Sequence, residues 1–459
     1  MTDDYQQFVL RKSQHGTGSG FEPLWLPDSM YPFQRDMTEW SIRQGRGAIF
    51  ADCGLGKTLM QLVWADNVVR KTNRPVLVAT PIAVGRQTKS EADKFGIEAE
   101  TTRGGKMTDE AKVWITNYEQ LHHYDPSRFA GFVGDESSCI KDAKTARKAT
   151  VVEWSRCLDY RLLCTATAAP NDVWELGTSS EALGHLGFRD MITAYFKQET
   201  TKDRLGWGRT KYRFRGHAED PFWAWVCSWA RSIRRPSDIG GDDTPFQLPQ
   251  LNESEHVIQA RTMRPGQLFE MAARNMQEER EERRRTIPER CEAAAAMAEE
   301  SDRPMVLWCN LNTEGDRLAS IVPGSEQVSG STPDERKEEL FAAFTDGQLK
   351  RLITKAKIGA WGLNWQHCSD TVVFPSHSFE QYYQLVRRFY RFGQTNDVSV
   401  RVIISEGEAG ILDNLKRKQR QADRMFTKIV KHMGDAIRLS KADVFTEREE
   451  LPKWLMNSK

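Results

Sequence analysis

Short apolar runs alternate with helix-spaced segments from about residue 31 to residue 195. Val76–Ala79, Val113–Thr116, Phe132–Gly134 and Arg161–Cys164 read as strands buried on both faces, because their apolar positions run on rather than alternate. The same rhythm returns at Met305–Cys309, Arg351–Thr354, Thr371–Phe374 and Val398–Ile404. Two such blocks predict an α/β protein with two parallel-sheet domains. Between the blocks the pattern changes. Residues 202–215 (KDRLGWGRTKYRFR) carry six basic residues and one acid, interleaved with Trp207, Tyr212 and Phe214. Phe222, Trp225, Val226, Trp229 and Ile233 then recur at helical spacing and stop before Pro236, which predicts a helix with a core-facing stripe. The glycine- and proline-bearing IGGDDTPFQLPQL that follows reads as a linker. Residues 267–300 read as a charged helical stretch broken near Pro288, its run at 278–285 nearly balanced in sign and expected to face water. Residues 414–432 give a second helical segment with a basic face, also expected to be solvated.

These divisions predict a leader at 1–30, a first domain at 31–195, a basic-aromatic insert and linker at 196–250, a second domain with a helical insertion at 251–435, and a tail at 436–459. The total of 459 residues allows a large core. With 65 Lys+Arg against 64 Asp+Glu the net charge is +1, which excludes a uniformly basic nucleic-acid binder but not a local basic groove. Mean hydropathy is −0.61 and no apolar run approaches a membrane span, so no membrane partner is expected. The eight cysteines stand singly without a C-x-x-C pair, the pattern of reduced thiols in a cytoplasmic, reducing setting and of a chain with no structural zinc. His122-His123 beside Asp125 reads as a loop, since adjacent side chains rarely converge on one ion.

The sharpest chemistry lies at Asp52-Cys53-Gly54-Leu55-Gly56-Lys57-Thr58, between an apolar strand and a helix that begins with Leu59, Leu62 and Val63 on one face. Glycines let main-chain N–H groups close on phosphates, and a helix N-terminus adds positive partial charge. Lys57 would reach the β and γ phosphates of ATP and the Thr58 hydroxyl would hold Mg²⁺. Ala51 stands where the strict phosphate-loop pattern has its first glycine. Asp135-Glu136 closes another buried run, placing one carboxylate for the metal and the other for the attacking water. Ser378-Phe379-Glu380-Gln381 reads as a helix start, from which Gln384, Arg388 and Arg391 fall at i, i+4 and i+7 on one face. Such an arginine pair suits charge on a transferring phosphoryl group, although an Arg pair taken alone more often binds a carboxylate or phosphate backbone.

Gln384-Leu-Val-Arg-Arg388-Phe-Tyr-Arg391-Phe-Gly393-Gln394 resembles the Q-x-x-x-R-x-x-R-x-G-Q motif of Swi/Snf-like ATPases in helicase superfamily two. The Asp52–Thr58 loop is similar to that family's D-x-x-G-L-G-K-T, and VLVATP, VWITNYEQL, DESSCIKD, LLCTATAAPND, VLWCN and GAWGLNWQ follow in the family's order across roughly residues 31–415. The chain looks closest to compact phage and prophage members. The resemblance implies two RecA-like domains with ATP in the cleft between them, and arginine fingers at Arg388 and Arg391 with Gln384 near the γ-phosphate or water. It also implies an adenine contact at Phe33-Gln34, coupling through Thr165 and Thr167, and nucleic-acid contacts near Thr80, Thr116, Asn117 and Asn312. Lys211 and Arg213 of the basic-aromatic segment are further nucleic-acid candidates, against a packing role for that segment.

Three departures stand out: Ser137-Ser138 where the family usually has Ala-His, Ala168 where it often has Pro, and Ala360-Trp361 within its glycine-rich run. None removes a group that hydrolysis needs. The expected activity is a nucleic-acid-stimulated ATPase translocating on DNA, duplex ahead of single-stranded, with a strand-separating DNA or RNA helicase and a non-hydrolysing ATP-gated clamp or scaffold as alternatives. RNA as a partner, and a separate replication, recombination or nuclease protein, stay open at this point.

Overall fold

The computed structural model describes residues 19–108, 110, 112–202, 208–261, 276–359 and 364–446. In chain order the first domain contributes β1 (Arg46–Ala51), β2 (Val76–Thr80), β3 (Ala99–Thr101), β4 (Val113–Asn117), β5 (Gly131–Asp135) and β6 (Tyr160–Thr165). An antiparallel hairpin follows, β7 (Phe196–Lys202) with β8 (Gly208–Phe214), and then β9 (Ala230–Ile233). The first sheet runs β3-β4-β2-β5-β6-β1-β9, parallel throughout. The second is built from β10 (Leu251–Ile258), β11 (Met305–Cys309), β12 (Ser325–Val328), β13 (Arg351–Lys355), β14 (Asp370–Val373) and β15 (Val398–Ser405). Its order is β10-β15-β14-β11-β13-β12, again all parallel. The central strands β2, β5, β11 and β14 are buried at every position, as their unbroken apolar runs predict.

The apolar stripe expected to stay helical through Ile233 is cut at Trp229. The helix Glu219–Trp229 ends there, and Ala230–Ile233 extends to pair in parallel with Ala48–Ala51. Without β9, β1 would be a bare sheet edge inside the protein, with main-chain groups unpaired; the strand satisfies them. Phe222, Val226 and Trp229 nonetheless keep the predicted core role, Trp225 is only partly buried against them, and Trp223, outside the predicted stripe, is buried as well. Of the basic-aromatic segment, Trp207 and the Lys211 side chain lie outside the described residues. Tyr212 and Phe214 pack at the margin of the first core, and Arg213 is exposed and paired with Glu199 at 3.0 Å.

Two expected solvent faces are corrected. In the 278–285 run, Glu282 is 1% exposed and bonded by Arg285 at 2.7 Å, while Arg283 reaches Glu408 at 2.8 Å. Arg290, 1% exposed, pairs with Glu314 at 2.8 Å and lies 3.7 Å from Glu408. Alternating signs here knit two helices to the end of β15 instead of decorating a surface. The long helix Ala409–Thr446 leaves the second sheet and crosses to the first domain, where Met425, Phe426 and Ile429 enter the core around Trp223 and Trp229. Lys418 donates to Asn171 (2.7 Å), Gln421 to Asp172 (2.9 Å), and Arg234 and Arg424 pair with Asp423 and Glu219 at 2.8 and 3.0 Å. Much of the basic face is therefore an interdomain seam. Among the described residues no helix is long and apolar enough to cross a membrane.

Two stability outcomes follow from these contacts. Glu314→Ala leaves Arg290 buried beside a weaker partner and should destabilise the protein by about 3 kcal/mol in urea titration; a loss below about 1 kcal/mol would show the pair to be dispensable. The second concerns His185, whose Nε2–H faces the Arg46 carbonyl at 3.1 Å and whose ring stacks on Trp229. Burial holds its imidazole at about 4. The unfolded chain, titrating near 6.5, binds the proton more readily, so this group's contribution is full above about pH 6.5 and falls as pH drops toward 4. At about 1.4 kcal/mol per unit, His185→Gln should remove about 3 kcal/mol of acid sensitivity across that window.

Candidate functional site

β1 ends at Ala51 and the helix Lys57–Thr72 starts with Gly56 as its N-cap. Gly54 and Gly56 hold φ of 88° and 78°, left-handed geometry that glycine adopts without strain. A Cβ on Gly54 would lie 2.9 Å from the Phe392 nitrogen of the second domain, and one on Gly56 would lie 2.3 Å from Gln34 Nε2. Lys57 Nζ donates to the carbonyls of Ala51 (2.8 Å) and Asp52 (3.2 Å), which holds the ammonium across the loop beside Leu55, Gly56 and Thr58. Gln34 supports the loop from outside: Nε2 donates to the Leu55 carbonyl at 3.0 Å and Oε1 accepts from Tyr31 N–H at 3.1 Å. Phe33 is buried against Phe246, which in turn meets Phe392 across the domains at 5.0 Å.

Asp135 ends β5 and Glu136 follows in left-handed geometry, φ 48°, a strained choice for a residue with a Cβ. Gln61, one turn into the phosphate-loop helix, donates to Asp135 Oδ1 at 2.7 Å. Burial, with Glu136 adjacent, pushes the Asp135 carboxyl up to about 6. Thr165 Oγ1 donates to Glu136 Oε2 at 3.2 Å and itself accepts from Thr167 N–H at 3.1 Å. A hard divalent cation fits here: two buried carboxylates crowd each other beside Lys57, and a hydroxyl stands at the start of the adjoining helix. Asp135 and Thr58 are the residues that would hold it. Among the described residues no group of three or more His, Cys, Asp or Glu stands together as a metal cage.

The second domain enters through the helix Phe379–Val386, capped by Ser378 Oγ accepting from Gln381 N–H at 3.3 Å. The expected single helical face for Gln384, Arg388 and Arg391 is corrected, because the helix stops at Val386. Trp365 N–H takes the Arg388 carbonyl at 3.1 Å, drawing the chain out of the helix. Arg388 folds back, with Nε on the Gln384 carbonyl (3.2 Å) and Nη2 on its side-chain oxygen (3.0 Å). The Gln384 amide then donates to Glu136 Oε2 at 3.4 Å, across the domain boundary. Arg391 bonds Asn364, and its Nε is buried without a partner. Burial lowers the pKa of Arg388, and burial with Arg388 alongside lowers that of Arg391 to about 10.

Four residues given no role in the sequence reading, Asp52, Gln61, Tyr383 and Arg387, belong to the same cleft. Asp52 Oδ2 accepts from Arg387 Nη2 at 2.7 Å, and its Oδ1 accepts from Cys53 N–H (2.6 Å) and from the Tyr383 hydroxyl. Gln61 was findable as the residue one turn beyond Lys57 on the same helix face; Tyr383 and Arg387 carry no separate signal in the sequence. The expected nucleic-acid residues are not brought into this cleft. Thr80 and Thr116 are buried, their hydroxyls engaged with the Thr116 carbonyl and with Tyr124. Asn117 buries an unpartnered Oδ1, while Asn312 is exposed as the first residue of the helix Asn312–Ile321 and bonded by Lys355 at 2.5 Å. Residues 360–363 of the glycine-rich run lie outside the described residues.

No protein-family model matches the chain. Among solved structures it is similar to S. cerevisiae Dbp5 bound to RNA and ADP BeF3, with a TM-score of 0.53 and 12% identity over 88% of this chain and 98% of that one. It is also matched to the Sulfolobus solfataricus SWI2/SNF2 ATPase core in complex with dsDNA, at TM-score 0.41 and 16% identity over 89% of this chain and 96% of that one. The likeness is one of fold: two RecA-like parallel-sheet domains, with the phosphate loop in the cleft between them.

The packing around the loop makes Gly56 the least replaceable of its glycines. Gly56→Ala should displace Gln34 from Leu55 and destabilise the loop by about 1–2 kcal/mol, the penalty of a left-handed Cβ. Nucleotide affinity measured by fluorescent-nucleotide titration should fall about tenfold, and unchanged affinity would show the loop geometry to be unimportant.

Proposed function

We propose that the chain is a nucleic-acid-stimulated ATPase, Swi/Snf-like and of helicase superfamily two, that translocates along DNA, duplex in preference to single-stranded. The observation that carries this reading is the Gln384–Glu136 bond, which joins the Arg388-bearing segment of one domain to the carboxylate pair beside the phosphate loop of the other. A binding module has no need to bring those groups together. Dbp5 in its complex with RNA and a nucleotide shares the fold, which supports a polynucleotide and a nucleotide as joint ligands. The ordered motifs favour DNA.

On this reading the Gly54–Thr58 main chain and Lys57 hold the ATP phosphates, and Phe33 and Gln34 brace the loop. Mg²⁺, when bound at Thr58 and Asp135, supplies charge neutralisation on the β and γ phosphates. Glu136, steadied by Thr165 and Gln384, orients a water and takes its proton as the water oxygen bonds to the γ phosphorus. The bond from that phosphorus to the β–γ bridging oxygen breaks, leaving ADP and phosphate, while Arg388 and Arg391 stabilise the charge that builds on the transferred group. Thr165 and Thr167 sit between Glu136 and the following loop, so loss of the phosphate is felt as a change in how the domains meet. Repeated closure and opening would step a backbone-gripping surface along the polymer. Contacts of that kind are made to phosphate and sugar and weaken steeply with salt.

Steady-state ATP hydrolysis measured with duplex DNA, single-stranded DNA and RNA tests the reading. Duplex DNA should stimulate most, and the protein should displace a triplex-forming strand without separating a duplex. No stimulation by any polynucleotide would overturn the motor reading, and strand separation would favour a helicase. Lys57→Ala and Glu136→Gln should each lower turnover by about 10² or more, the second with ATP binding retained.

A further inference from the structure

The carboxylate of Asp52, the single acid of the Asp52–Thr58 loop, is bonded on both oxygens, and none of the roles assigned above uses it. Its Oδ1 takes Cys53 N–H and the Tyr383 hydroxyl, and its Oδ2 takes Arg387 at 2.7 Å. The pair is well shielded, with side-chain exposures of 17% for Arg387 and 9% for Asp52. Its two halves come from different domains.

Register gives this contact its meaning. Tyr383 precedes Gln384 and Arg387 precedes Arg388, so the segment that faces Glu136 with one residue of each couple faces the loop with the other. On the loop side, the Asp52 carbonyl accepts from Lys57 Nζ at 3.2 Å. One residue thus holds the phosphate-binding lysine through its main chain and the arginine segment through its side chain. An ion pair shielded in this way forms only when both partners leave water together, so it is made with domain closure and lost with opening. A cavity of about 140 Å³ borders the pair, lined also by Thr167, Arg234 and Asp423. Thr167 Oγ1 is buried there without a partner.

We propose that Asp52, Tyr383 and Arg387 are positioning residues, an interdomain latch that sets Arg388 and Arg391 against the phosphate loop in the closed protein. The inference rests on the ATPase reading given above. Losing the latch should slow the chemical step while leaving the loop's own grip on ATP in place.

The test measures kcat and KM for ATP at saturating duplex DNA, with binding of fluorescent mant-ATP, for Arg387→Gln, Arg387→Lys, Asp52→Asn and the Asp52→Asn/Arg387→Gln double variant of the full chain. Arg387→Gln should lower kcat at least tenfold with KM and mant-ATP affinity changed less than threefold. Arg387→Lys should recover kcat to within about threefold of wild type, and the double variant should be no slower than Arg387→Gln alone. Unchanged kcat, multiplying effects in the double variant, or mant-ATP binding lost together with kcat would each overturn the latch. Small-angle scattering separates this from failure of the ATPase reading. If the wild type hydrolyses no ATP, that reading fails and the positioning role with it; the contact itself is then judged by size. A larger radius of gyration for Arg387→Gln upholds it as an interdomain latch, and an unchanged radius overturns it.

Discussion

Asp135 and Glu136 are consecutive acids at the buried end of β5, and two neighbouring carboxylates out of water repel each other unless donors or cations surround them. The structure answers with Gln61 on Asp135, and Thr165 and Gln384 on Glu136, drawn from three separate elements, one of them in the other domain. The left-handed backbone at Glu136 belongs to the same arrangement, in which its carboxylate meets Thr165 and Gln384. The first domain gives each acid one donor, and the second domain adds Gln384 on Glu136. The two sheets meet where they do because the acid pair and the loop acid Asp52 each take a bond from the second domain.

The long C-terminal helix turns that meeting into a defined geometry. It starts in the second domain and ends its packing in the core of the first, through Met425, Phe426 and Ile429. Its charges bridge rather than solvate, which also changes the meaning of a net charge of +1. Many basic residues are matched to acids within the fold, as with Arg290, Arg283 and Arg234. Near-neutrality is therefore no measure of the affinity of any one surface for a polynucleotide.

Buried parallel strands were legible in the sequence because burial on both faces demands uninterrupted apolar runs; Met305–Cys309 is recovered to the residue and most others to within one or two. Strands that carry no such demand were not. β10, LNESEHVI, lies at a sheet edge with one partner and polar residues facing out, and β9 looked like the last turn of the preceding helix. Within the cleft, Lys57, the Asp135–Glu136 pair, Gln384 and Arg388, all singled out in the sequence, are brought together by the two domains. The helix end at Val386 was hidden, being set by Trp365 hydrogen bonding from more than twenty residues upstream. The bonding of the Asp52 side chain leaves no mark in the sequence, since its partners Tyr383 and Arg387 are brought to it by domain packing.

The catalytic centre we propose is divided, with nucleotide held by one domain and its reaction completed by the other. Arg388→Ala measured by equilibrium mant-ATP binding and by single-turnover hydrolysis tests it directly. Binding within about threefold of wild type, with hydrolysis slowed about 10³-fold, is the predicted result for an arginine that acts on the transferring group. Equal loss of binding and hydrolysis, or hydrolysis at the wild-type rate, would contradict it.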